Sequence, residues 1–377
     1  MKQSTTFLNL LQNLLSKEEA QAITKELNYE DPSRKLDTHM LIQYLVMAAF
    51  SEWKSFRHGA DVAEQQGLPP VHYSTFSKKT SVVPFSVLKR VFQTIVKKCN
   101  RALKRTLKFP KPLLLIDSTT MTVGKERLPW ALYQNSRSGI KLHVAYTPST
   151  DMPFDAVGTR AVAHDGPVGE QLVNPDFILV EDRAYAKMKR LDHFQKEGQL
   201  FVIRLKDIII LHRPKAIQRL RQVNSPVVRD ITCQLGNRDT RTKNRYRVVM
   251  FQDANGKEMR VVTNIMHVSA EQIADIYKMR WQIETFFRWI KQHLNVPVLF
   301  GTTENAVFNQ LYSALIAYIL LKWLYQQAKP YALTSCSFAS FTRKLLSHTL
   351  SVDWKGAVAI ILKRVRDSQG RGLPIFG

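Results

Sequence analysis

Residues 113–121 read LLLIDSTTM, and the step from four apolar residues to Asp117 decides the class of fold. Leu113 to Ile116 is too short for a helix and apolar at every position, the pattern of a strand buried on both faces of a sheet. Asp117 then stands at its carboxyl end, where a carboxylate leaves the apolar sheet. Phe177-Ile178-Leu179-Val180 followed by Glu181-Asp182 repeats the arrangement. One carboxylate at a strand end is commonly a turn former or helix cap. Two on neighbouring buried strands are harder to dismiss, because they repel unless a shared proton or a divalent cation lies between them. Oxygen-only ligands favour Mg²⁺ or Mn²⁺.

Outward from these runs, Lys141 to Tyr146, Phe154 to Val162 and Leu200 to Ile203 have strand length and turn-forming borders, with a helical stretch from Tyr185 to Glu197. The pattern predicts an α/β or α+β core over residues 109–295. A second strand-rich segment contains Ile208 to Leu211, Val227 to Leu235, Arg245 to Gln252 and Met259 to Ile265, with turns at Gly236-Asn237 and Asn255-Gly256. It reads as a β-rich insertion over 205–266. Ser269 and Gln272 then form a capping box for one long helix to about Leu294. Residues 1–108 and 296–377 are patterned as helical regions on either side.

The chain has 377 residues, enough for two or three structural units, and its 45% apolar content supports a folded core. Its 55 Lys and Arg against 31 Asp and Glu give a net charge of +24. Such an excess opposes compaction unless a polyanion relieves it, so nucleic acid is the first candidate partner. Between Gln65 and Ile116 there is no Asp or Glu, while Lys78, Lys79, Lys89, Arg90, Lys97, Lys98, Arg101, Lys104, Arg105, Lys108 and Lys111 all fall there. The run reads as a one-sign face for phosphates. Lys78 and Lys79 lie in a helix starting at Ser74, after a Gly67-Leu68-Pro69-Pro70 break. This resembles a helix-turn-helix and equally an ordinary helical hairpin.

A third carboxylate for the Asp117 and Asp182 pair belongs on the long helix. At about 100° per residue, Tyr277, Arg280, Glu284 and Lys291 share an arc of roughly 60°. Ile276, Ile283, Phe286, Phe287, Ile290 and Leu294 form an adjacent apolar face. On periodicity alone, a surface helix with an incidental Arg280 and Glu284 pair fits as well.

The spacing Tyr277-x2-Arg280-x3-Glu284-x6-Lys291, within YKMRWQIETFFRWIKQHL, resembles the Tyr-Arg-Glu-Lys signature of bacterial insertion-sequence transposases of the DDE class, the insertion sequence four family. LLLIDSTTM at Asp117, FILVEDRAYAK at Asp182 and VVTNI before the helix are similar too, so the resemblance covers about Leu113 to Leu294. It implies an RNase H-like catalytic core with a β-rich insertion between the second and third acids, a helical DNA-binding region before it and a helical region after it. It further implies a transposase that binds the terminal inverted repeats of its own element, cleaves them with Mg²⁺ and joins the 3′-OH ends to target DNA, with Mn²⁺ expected to substitute. On the same ground, Asp117, Asp182 and Glu284 are the catalytic metal ligands, and Tyr277, Arg280 and Lys291 contact phosphates of double-stranded DNA. Arg288 on that helix, with Lys78 and Lys79, extends the expected DNA-binding set. Cutting two ends in one complex implies a homodimer on DNA.

Some assignments stay open on sequence alone. A one-residue slip of register would exchange Glu181 for Asp182, although Asp182-Arg183-Ala184-Tyr185 matches the family. Trp281 reads as core at the helix edge, or else as a platform for an unpaired base. Trp289 fits packing and DNA lining equally. His164-Asp165, before Gly166-Pro167, reads as a capping pair. Cys99, Cys233 and Cys336 have no metal-ligand spacing and read as reduced thiols. The N-terminus reads as an amphipathic helix. The most apolar stretch, Leu311 to Leu324, is expected to be too short for a bilayer and carries Lys322. A cytoplasmic, nucleoid-associated protein with no membrane partner is expected. Two rival readings are a catalytically silent DNA-binding regulator and a metal-dependent nuclease that cannot rejoin ends.

Overall fold

In the computed structural model, residues 5–33, 35–101, 109–134, 137–217, 225–294, 296 and 298–370 are described. In chain order, the helices and strands are α1 (Thr5–Leu14), α2 (Lys17–Glu26), α3 (Thr38–Phe50), α4 (Phe56–Val62), α5 (Tyr73–Val82), α6 (Phe85–Arg101), β1 (Leu113–Gly124), β2 (Leu132–Gln134), β3 (Arg137–Thr147), β4 (Met152–Arg160), α7 (Asp165–Glu170), β5 (Ile178–Glu181), α8 (Met188–Lys196), β6 (Phe201–Arg204), β7 (Leu211–Ala216), β8 (Val227–Leu235), β9 (Tyr246–Gln252), β10 (Glu258–Thr263), α9 (Ala270–Lys278), α10 (Trp281–His293), α11 (Glu304–Ala328), α12 (Phe338–Leu346) and α13 (Val352–Gly370). They form two compact units: residues 1–104, 122–138 and 287–377 in one, and residues 105–121 and 139–286 in the other.

The first unit is helical, and its helices begin where the sequence supplies acceptors for free N–H groups. Ser16 and Glu19 make a reciprocal capping box on α2, while Asp37 and Ser55 cap α3 and α4. The cap of α5 is His72, two residues before the expected Ser74, whose N–H the His72 ring accepts. α11 is the axis of the unit, packing on α3, α5, α6 and α13. The expectation of a short apolar segment is corrected: Thr303 caps a helix that runs on to Ala328, long and apolar enough to cross a membrane by length and composition. Its most apolar stretch is wholly buried in protein, as a helix apolar all round must be in a large core. Asn309 on α11 donates to the Thr80 and Val83 carbonyls at the end of α5, at 3.1 and 2.8 Å. Residues 1–104 and 287–377 thus fall in one compact unit.

Tertiary pairing also changes the reading of the basic run. The Lys79 ammonium is buried, bonded to Asp31 and 3.1 Å from Ser33 Oγ. Arg90 reaches Glu26 at 3.0 Å, and Lys98 reaches Glu19 at 2.5 Å. Acids of α2 and the loop after it therefore neutralise cations that look unopposed in sequence. Lys79 is removed from the expected DNA-binding set, since its charge is committed inside the fold. Lys78 is exposed. Lys104, Arg105 and Lys108 lie outside the described residues.

The second unit is built on a mixed sheet in the order β4-β3-β1-β5-β6-β10-β9-β8-β7. β2 pairs with the first residues of β3, which belong to the helical unit. β1, β5 and β6 are parallel, with Leu113 opposite Ile178 and Leu179 opposite Phe201. Their runs are apolar at every position because both faces are covered, with Leu114, Ile116, Leu179 and Ile203 in the same core as Tyr185, Leu191 and Phe194 of the connecting segment and α8. This is the expected mixed α/β core. The β-rich insertion is part of the same sheet: β10 pairs antiparallel with β6, Val261 opposite Arg204, so the insertion prolongs the core sheet at its edge. β7 begins at Leu211, where the expected strand ended. Ile208 and Ile210 sit in the preceding turn, 85% and 56% exposed.

Candidate active site

β1 carries Asp117 to the surface of the sheet unit. The strand continues to Gly124, so Asp117 is not at its end as expected. It stands where pairing with β5 stops, one residue past the Ile116 to Glu181 register pair. Its Oδ1 accepts the Ser118 N–H at 2.8 Å. Asp182 follows the last residue of β5, and its Oδ1 is 3.5 Å from the Tyr277 hydroxyl and 3.9 Å from Arg204 Nη1. Glu284 sits in the first turn of α10, where a helix favours negative charge. Arg280 joins the sets: Nη1 donates to Asp117 Oδ2 at 3.2 Å and Nη2 to Glu284 Oε1 at 2.5 Å.

The single long helix expected here is two helices. Ser269 and Gln272 form the expected capping box of α9, but the chain turns at Met279 and Arg280. The Arg280, Gln282 and Ile283 amides each bond three residues back, to Tyr277, Met279 and Arg280 at 3.0, 3.0 and 3.2 Å. These tighter turns replace the ladder of a continuous helix. The wheel projection that put Tyr277 and Arg280 on one arc with Glu284 therefore does not hold across the break. Tyr277 is 4% exposed, with its hydroxyl toward Asp182, and Arg280 is turned inward onto Asp117 and Glu284.

The electrostatics of Asp117 follow from that setting. Burial lifts its carboxyl to about 6, the Ser118 N–H and Arg280 oppose the rise, and Asp182 and Glu284 add to it by repulsion. Burial also raises the Tyr277 hydroxyl to about 12. Three carboxylates whose charges resist being close, with only oxygen donors among them, suit a hard divalent cation. Among the described residues they are not gathered into a single three-ligand cluster. The Arg280 guanidinium instead spans Asp117 and Glu284, and among the described residues its buried Nε has no hydrogen-bond partner. A cation between these two acids is what their chemistry requires.

The neighbouring assignments separate cleanly. Glu181 is fully buried on the far side of β5, held bidentately by Arg190, which also binds Glu170. Of the two acids, Asp182 is therefore the one that faces Tyr277 and Arg204. Asp165 does not cap α7; its Oδ1 receives Ser118 Oγ at 2.9 Å and Lys141 Nζ at 3.1 Å, beside the buried His143 at 3.6 Å. Trp281 is 58% exposed, contrary to the core reading. It lines a cleft of about 430 Å³ with Arg204, Phe251, Met259, Tyr277 and Lys257. Trp289 is packed, stacked on Phe338 at 4.7 Å. Lys291 lies half-buried two turns beyond Glu284 on α10, its ammonium pushed down by burial, and Arg288 is exposed. Sequence reasoning missed Arg204, although Phe201-Val202-Ile203-Arg204 repeats the run-then-charge pattern that marked both aspartates.

The transposase DDE domain model matches residues 108–320. The chain is 54% identical over 377 residues to a probable transposase for insertion sequence element IS5377 of Geobacillus stearothermophilus, covering 100% of both chains. It is 29% identical over 265 residues, 67% of this chain and 72% of the relative, to a putative transposase for insertion sequence element IS4SA of Synechocystis sp.. A piggyBac transposase synaptic complex with hairpin DNA is a distant structural likeness, with a TM-score of 0.48 at 14% identity, covering 98% of this chain and 85% of that one. Membership of such a family brings DNA as a partner and dependence on a divalent metal. The chain belongs to the DDE transposase family and is a DNA transposase, an enzyme of DNA cleavage and strand transfer.

Proposed function

We propose that Asp117, Asp182 and Glu284 hold Mg²⁺, with Mn²⁺ able to replace it, and that the enzyme cuts the terminal inverted repeats of its own insertion sequence and transfers the 3′-OH ends to target DNA. The observation that carries this reading is Arg280 bound at once to Asp117 and Glu284, which come from a sheet strand and a helix far apart in sequence. A divalent ion bound by these acids supplies Lewis acidity toward the scissile phosphate and its leaving oxygen. The chain's own groups supply the rest. Tyr277 and Arg204 orient the Asp182 carboxylate, and Ser118 fixes that of Asp117. Arg280, which a metal ion between Asp117 and Glu284 would release from those acids, would then offer a planar fork matched to a phosphate, and Lys291, Arg288 and Lys78 offer charges to the DNA backbone. Trp281, exposed at the rim of the cleft, offers a stacking surface for an unpaired base. A homodimer on the DNA, acting at the nucleoid in the cytoplasm, completes the proposal.

Glu284→Gln is expected to abolish Mg²⁺-dependent nicking of element-end DNA while leaving binding intact; nicking at the wild-type rate would exclude Glu284 as a ligand. Lys291→Ala should flatten the salt dependence of binding by about one unit of slope for one lost phosphate contact. A strand-transfer assay separates the transposase from a nuclease, and nicking itself separates it from a silent regulator.

A further inference from the structure

The strand farthest from the acids carries a surface that the chemistry above does not use. Residues 206–245 include ten Lys and Arg against Asp207, Asp230 and Asp239, and Asp230 is spent inside the fold on Arg247 at 2.8 Å. Of these, Arg213 and Lys215 lie on β7, and Arg241 and Arg245 in the β8–β9 turn beside it. Pairing of β7 with β8 slips between His212 and Lys215, and within that bulge Arg213 takes a left-handed backbone, φ 47°. Arg245 donates to the Arg213 and Thr232 carbonyls, at 2.8 and 2.6 Å, which holds it at the same bulge. Burial, then Arg241, Arg213 and Arg245 in turn, depresses the His212 imidazole. Arg213, Lys215 and Arg241 are exposed, and no carboxylate pairs with them among the described residues. Ile208 and Ile210 protrude from the turn leading into this edge, and Gly236 of the β8–β9 turn donates to the Ile210 carbonyl at 2.9 Å. Exposed apolar side chains rimmed by cations mark a contact surface more than a solubility device.

We infer that this outer edge, β7 with the β8–β9 turn, grips the backbone of the same DNA duplex that is cut at the acids, several base pairs from the scissile phosphate. From β5, which presents Asp182, the sheet steps through β6, β10, β9 and β8 to β7. Five strand spacings of about 4.8 Å make roughly 24 Å. At about 3.4 Å per base pair along a duplex this is about seven base pairs. The inference rests on the site proposed above, because that site sets where the duplex is cut.

The test is equilibrium binding, without metal, of the full chain to terminal-repeat duplexes extending about 4 or about 12 base pairs from the cut on one side or the other, across a salt series. The variant combines Arg213→Asn, which tolerates the left-handed backbone, with Lys215→Gln and Arg241→Gln. Its salt slope should be shallower by up to roughly 2.7, at about 0.9 per lost phosphate contact, only with the long extension on one side. With short extensions it should match the wild type, which also shows that the variant is folded. Equal slopes on every duplex overturn the inference, and so does an equal loss on short and long duplexes. Arg213→Lys with Arg241→Lys should keep the wild-type slope, and a loss there equally overturns it. A wild-type chain that shows the length-dependent grip yet never nicks DNA would sink the catalytic reading and leave this surface standing.

Discussion

Asp117 resists ionisation because it is buried beside two other acids, Asp182 and Glu284, with only Arg280 and the Ser118 N–H in its favour. An acid whose pKa is higher folded than unfolded stabilises the fold in its protonated form. That contribution is full below the ordinary 3.8 and is lost as pH rises through about 6. In the absence of metal, the wild-type melting temperature minus that of Asp117→Asn should therefore fall as pH rises from about 4 to about 7. A difference that is flat with pH would show that Asp117 ionises normally. Because a cation needs the carboxylate form, the apparent Mg²⁺ affinity, measured by titration of metal-induced thermal stabilisation, should rise over the same window. An affinity independent of pH there would remove Asp117 from the ligand set.

At the scale of elements, β5 and α8 are joined by a buried ion pair that also sets which acid faces the site. Glu181 is fully buried and Arg190 is 8% exposed. Arg190→Met leaves the Glu181 charge without its partner, and urea unfolding should show a loss of about 3–5 kcal/mol. Adding Glu181→Leu should recover much of it, and a single variant as stable as wild type would show that the pair contributes nothing. This pairing was only half legible in sequence. The run Phe177 to Val180 announces a buried strand, and the family match favours Asp182, but which of two adjacent acids turns outward depends on an arginine nine residues later. The strands that carry Asp117 and Asp182 and the α9 capping box were readable because each rests on local pattern. The break between α9 and α10 was not, since no Pro or Gly marks it, and Arg280 there is bound to Asp117, 163 residues away. The start of β7 was misread for a related reason. Ile208-Ile209-Ile210-Leu211 has strand composition, yet only Ile209 and Leu211 of it pack against the core.

At the scale of the whole molecule, the helical unit is assembled from chain segments that lie far apart, and charge and burial both depend on that. Residues 5–101 supply six helices, but the element they pack around is α11, more than two hundred residues on. Its buried length includes Leu311, Leu315, Ile316, Leu320 and Leu324, all at most 1% exposed. Without it, α3, α5 and α6 would turn apolar faces to water, and the last carbonyls of α5 would lose the Asn309 amide. Tertiary packing, rather than propensity, supplies most of the stability of helices this short. A fragment of residues 1–104 should therefore show little cooperative thermal unfolding by circular dichroism, however helical its sequence pattern. In the full chain, Asn309→Ala should cost about 1–3 kcal/mol in urea unfolding, the penalty for leaving buried Thr80 and Val83 carbonyls unpaired. A sharp, reversible melt of the fragment would mean that the N-terminal helices carry their own core. The basic region would then be a module able to meet DNA before the rest of the chain has folded.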